Sequence, residues 1–117
     1  MAYDLMKKIV KILDSKKAQQ IEVIDITKVS TIADYFVICT GTSSTQVKAL
    51  ANEIDFQLKD EQGDIAHHKE GYGSASWILL DYKDVIVHIF YGETRDFYNL
   101  EHLWADGEKM DVEKIIQ

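Results

Sequence analysis

The sequence predicts an α/β domain, a mixed sheet of about five strands with helices packed on it, in the order α-β-β-α-β-β-β-α. Three observations carry this. Apolar residues recur at helical spacing in two segments, Leu5 to Leu13 and Val47 to Leu58. Tyr35-Phe36-Val37-Ile38-Cys39 is an unbroken apolar run of strand length, as expected for a central strand covered on both faces. Trp77 to Tyr82 and Val85 to Tyr91 are strand-like runs separated by Lys83-Asp84, the spacing of an antiparallel hairpin.

The elements follow in order. Leu5, Ile9, Ile12 and Leu13 form one stripe, with Lys7, Lys8 and Lys11 off it, so the chain opens with an amphipathic helix ended by Ser15-Lys16-Lys17. Ile21 to Ile26 is β-branched and partly alternating, a strand, and Tyr35 to Cys39 is the next. Gly41 breaks the second strand. Ser43 starts a helix, with Gln46 as the other half of a capping box, and Gly63 stops it. Ile65 to Lys69 is a weak third strand, and Gly71-Tyr72-Gly73-Ser74 reads as a flexible loop before the hairpin. The unit around residues 35–69 is a candidate parallel pair, while the hairpin supplies antiparallel edges. Thr94 can cap a last helix through Trp104, which Gly107 ends, and Asp111 to Gln117 reads as a fraying helical tail.

At 117 residues, with 46% hydrophobic residues and no linker, repeat or proline, residues 1–117 read as one domain with its own core. Thirteen basic residues against twenty acidic ones leave a net charge of −7. That argues against direct binding to a phosphate backbone and suits a basic partner. Simple solubility explains it equally well. A single cysteine, Cys39, excludes an internal disulfide and reads as a buried small hydrophobe. With no leader pattern and no apolar span of about 20 residues, a reducing, cytoplasmic setting is expected.

Candidate chemistry is sparse. The turn Thr40 to Ser44 precedes a helix N-terminus, where amides can hold phosphate, but it carries no phosphate-loop glycine pattern and reads more simply as a hydroxyl cap. His67 and His68 point to opposite faces of any strand, and His88, sharing a face with Ile86 and Phe90, reads as a satisfied structural histidine. Asp81 and Asp84 flank the hairpin turn, where two carboxylates could bind Mg²⁺ or do acid–base work but read more simply as caps on backbone amides. No nucleophile set assembles, so no catalytic residue, cofactor or metal site is expected. The segment Trp77 to Trp104 is instead rich in Trp, Tyr, Phe and Arg, residues that carry protein–protein contacts or fill cores. Phe97, Leu100, Leu103 and Trp104 form an apolar stripe on the last helix, and Arg95, Tyr98 and His102 a more polar one.

The chain resembles the ribosomal silencing factors, the Iojap-related proteins of bacteria and organelles. The resemblance runs from the first helix to Trp104. It rests on Asp34-Tyr35-Phe36-Val37-Ile38-Cys39-Thr40-Gly41-Thr42-Ser43, Glu70-Gly71, Trp77-Ile78-Leu79-Leu80-Asp81 and Asp84-Val85-Ile86-Val87-His88. Arg95, Tyr98, Leu100-Glu101 and Trp104 complete it. The resemblance implies a nucleotidyltransferase-like α/β fold without that fold's Asp-x-Asp pair, hence no enzyme. It implies binding to large-subunit ribosomal protein fourteen and a steric block on small-subunit joining. The expected contact residues are Trp77, Asp81, Tyr91, Arg95 and Tyr98. Two other readings of the residues stay open, a nucleotide-handling enzyme using the Gly41 turn with Asp81 or Asp84, and a homodimerising scaffold paired through a sheet edge.

Overall fold

In the computed structural model the described residues are 2–28, 31, 33–62, 68–92 and 107–116. The first amphipathic stripe folds as α1 (Ala2–Ser15), burying Met6, Ile9, Val10, Ile12 and Leu13. After a turn in which Lys17 takes a positive φ of 64° come β1 (Gln19–Asp25) and β2 (Tyr35–Gly41). The second stripe folds as α2 (Ser44–Gln62), and Val47, Leu50, Ala51, Ile54 and Leu58 are its buried side. Ser43 Oγ accepts the Gln46 N–H at 3.0 Å, the forward half of the expected capping box. The Gln46 side chain returns to the Thr42 N–H at 2.5 Å, one residue earlier than the motif prescribes.

Then follow β3 (His68–Glu70), β4 (Trp77–Asp81), β5 (Val85–Tyr91), β6 (Glu108–Met110) and α3 (Val112–Ile116). The six strands form one sheet in the order β3-β4-β5-β2-β1-β6. β2 and β5 pair in parallel and every other neighbour is antiparallel. The expected parallel unit is therefore corrected in its partner. β3 runs in the direction of β2 but lies at the sheet edge, and β5 is the parallel neighbour. β5 is buried from Val85 to Phe90 and belongs at the centre, whereas Lys69 and Glu70 are exposed and suit an edge.

Among the described residues the sheet has one strand more than expected. Glu108-Lys109-Met110 pairs with Val23, Ile24 and Asp25 and forms the second edge. The tail is helical from Val112 to Ile116, as expected. Asp111 Oδ1 accepts the N–H groups of Glu113 and Lys114, and Ile115 is buried beside α1. Residues 65–67 of the expected third strand and the expected helix from Thr94 to Trp104 lie outside the described residues.

Strand alternation sorts the sheet into two faces. Val23, Val37, Cys39, Ile78, Leu80, Val85, Val87 and Ile89 form one cluster with the helix residues. Ile24, Phe36, Ile38, Ile86 and Phe90 form a second cluster, with Trp77 and Leu79 packed against it. Among the described residues, no helix contributes to that second cluster.

Candidate binding face

The hairpin aligns the residues of the second face. Tyr82 N–H donates to Val85 O at 2.9 Å, and Lys83 takes the turn at a positive φ of 78°. Asp81 Oδ1 accepts the Lys83 N–H at 2.7 Å, so one expected contact residue caps the turn. This register sets Trp77 opposite Phe90 and Leu79 opposite His88. Trp77 is partly buried and stacks on Phe90 with ring centroids 5.2 Å apart. Its indole N–H donates to His88 Nδ1 at 3.1 Å, diagonally across the hairpin. Phe36, from β2, meets His88 edge-on at 4.9 Å.

The loop from Gly71 to Ser76 fixes where Trp77 enters the sheet. It reads as flexible in the sequence, but Ala75 N–H donates to Gly71 O at 2.9 Å and Ala75 is buried. Gly71 lies directly against the Trp77 carbonyl.

The five expected contact residues separate. Trp77 and Asp81 share the second face but stand at opposite ends of β4. Tyr91 is 43% exposed, at the same end of the hairpin as Trp77. Alternation turns it toward the helix side of the sheet. Its N–H is held by Ser76 O at 2.9 Å. Arg95 and Tyr98 lie outside the described residues. Of the other aromatics in this segment, Tyr82 and Phe90 are core.

Cys39 is buried. The Thr42 and Gln46 amides at the start of α2 are bonded within the cap, which leaves them unavailable to a phosphate. Among the described residues, no three His, Cys, Asp or Glu side chains group as a metal set. No described helix is long and apolar enough to cross a membrane.

His88 departs from the satisfied histidine expected. It is 4% exposed, and its Nδ1 is bonded, but its buried Nε2 has no partner among the described residues. Because Nδ1 accepts, the neutral ring carries its hydrogen on Nε2. A buried donor without an acceptor costs about 1–3 kcal/mol. Burial lowers the His88 pKa from 6.5 to about 4. The unfolded chain then binds the proton first, so stability is full above pH 6.5 and falls as pH drops toward 4. The loss attributable to this group is about 3 kcal/mol. Unfolding measured at pH 7 and pH 4 should show it, and His88→Leu should lose less over the same interval. Equal losses in both proteins would show that His88 is not the group responsible.

The described residues thus form a mixed α/β sheet with helices packed on one face and an aromatic cluster on the other. Residues 1–117 match the family described as Ribosomal silencing factor during starvation. Ribosomal silencing factor RsfS of Halalkalibacterium halodurans is 41% identical over 113 residues, covering 97% of this chain and 96% of that protein. A crystal structure of a Chromobacterium violaceum protein superimposes with a TM-score of 0.86 at 33% identity, covering 95% of this chain and 91% of the other. A more distant relative in Mus musculus is named Mitochondrial assembly of ribosomal large subunit protein 1. It is 31% identical over 99 residues, covering 83% of this chain and 43% of that protein. The chain belongs to the ribosomal silencing factor family, whose members are ribosome-associated regulators and not enzymes.

Proposed function

We propose that this protein binds the large ribosomal subunit through large-subunit ribosomal protein fourteen and sterically prevents the small subunit from joining. The observation that carries the reading is Trp77. This large aromatic is partly buried at the end of a sheet face to which no described helix contributes. It is held by a stack and a hydrogen bond, and preorganised aromatics are the side chains that anchor protein interfaces. The net charge of −7 suits a basic ribosomal protein. The name of the mouse relative points to the large subunit. Trp77, Asp81, Tyr91, Arg95 and Tyr98 are the proposed contacts.

Comigration with purified large subunits, and not with small ones, tests the binding step. Comigration with small subunits alone would overturn it. Salt tests the electrostatics. Screening shortens from about 10 Å at 0.1 M to about 3 Å at 1 M ionic strength, so affinity for large subunits should fall as salt is added. The fall should lie mainly in the association rate, because long-range attraction acts before contact. A flat affinity would remove charge complementarity from the account.

A further inference from the structure

Among the described residues, His88 and Thr40 are the buried polar side chains. His88 stands between Ile86 and Phe90 on the second face, in a setting where an apolar residue would pack without an orphaned nitrogen. Its bonded atom is Nδ1, and the donor is the Trp77 indole. We propose that His88 is a positioning residue for partner binding. It pins the Trp77 indole by its N–H, so that the partner meets carbon atoms of the ring and receives them in an apolar pocket. This rests on the reading of Trp77 as a contact residue.

Two features support it. The indole N–H is turned toward a buried acceptor, which leaves carbon as the part of the ring a partner can reach. Phe90 braces one ring face, and the hydrogen bond adds a directional restraint on a side chain that is only partly buried. A free indole would have to be immobilised at the moment of binding. Fixing one side chain beforehand is worth roughly three- to tenfold in affinity.

The test uses the full chain and purified large ribosomal subunits. His88→Leu removes the orphaned Nε2 but also ends the indole bond, two opposing effects, so its thermal stability should change little while it binds roughly three- to tenfold more weakly. His88→Asn places an oxygen near the position of Nδ1 and should restore affinity. His88→Gln places it farther out and should not. In ¹⁵N-labelled protein the Trp77 indole N–H, identified by its loss in Trp77→Phe, should be protected from exchange in the wild type and in His88→Asn only. Equal binding by the Asn and Gln variants overturns the inference even if the Leu variant fails to fold. Unchanged affinity in His88→Leu overturns it while Trp77→Ala still weakens binding. If Trp77→Ala binds like the wild type, the contact reading itself fails and takes this inference with it.

Discussion

Gly71→Ala is expected to destabilise the protein by about 2–5 kcal/mol. Two terms add. Gly71 holds a φ of +92°, and a left-handed backbone costs an L side chain about 1–2 kcal/mol. The new Cβ would also overlap the Trp77 carbonyl oxygen and lie 2.9 Å from its carbon. Those are backbone atoms of β4, so no side chain can swing aside, and overpacking of this kind costs about 1–3 kcal/mol. Relief requires β4 to move where Trp77 enters the sheet, which would break the indole bond to His88. Chemical denaturation measures the loss. A loss below about 1 kcal/mol would mean that the loop yields freely and does not position Trp77. Gly73→Ala is the control, since a Cβ there meets nothing within 4 Å.

Trp77→Ala is expected to weaken large-subunit binding by about 2–4 kcal/mol, roughly 30- to 1,000-fold. Truncation removes the proposed anchor together with its stack on Phe90. It also ends the hydrogen bond to His88, so stability should fall by about 1–2 kcal/mol, little enough for the variant to stay folded. Circular dichroism and affinity for large subunits, both measured below the melting temperature, separate the two effects. A folded variant with unchanged affinity would remove Trp77 from the contact surface. An unfolded one would make it a core residue.

The legible parts of the fold are those whose pattern is local. The α2 stripe Val47, Leu50, Ile54 and Leu58 is buried as its spacing predicts, and the unbroken β2 run lies inside the sheet. β6 was not legible. Glu108 and Lys109 are exposed, and the segment is a strand only because Val23 to Asp25 lie beside it, a pairing more than eighty residues distant in sequence. The swap of β3 for β5 beside β2 has the same origin, since strand order depends on which strand can be covered on both faces.

The site was half legible. Trp77 stands out by composition, but the role of His88 needs the hairpin register. The signal was present. A two-residue turn at Lys83-Asp84 puts Tyr82 opposite Val85, and counting back places Trp77 opposite Phe90 and diagonal to His88. What no pattern supplies is which ring nitrogen is bonded, or that the other is orphaned.

The proposed steric block requires one protein on each silenced large subunit. A subunit-joining titration tests it most directly, with fixed large and small subunits, increasing protein, and joined particles resolved on a sucrose gradient. Joining should fall in proportion to the large subunits occupied, reach its plateau at one protein per large subunit, and recover on dilution at the dissociation rate. Arg95→Ala combined with Tyr98→Ala should shift the half-point to higher protein without changing the plateau. Full block at substoichiometric protein, or normal joining by fully occupied large subunits, would contradict the steric block.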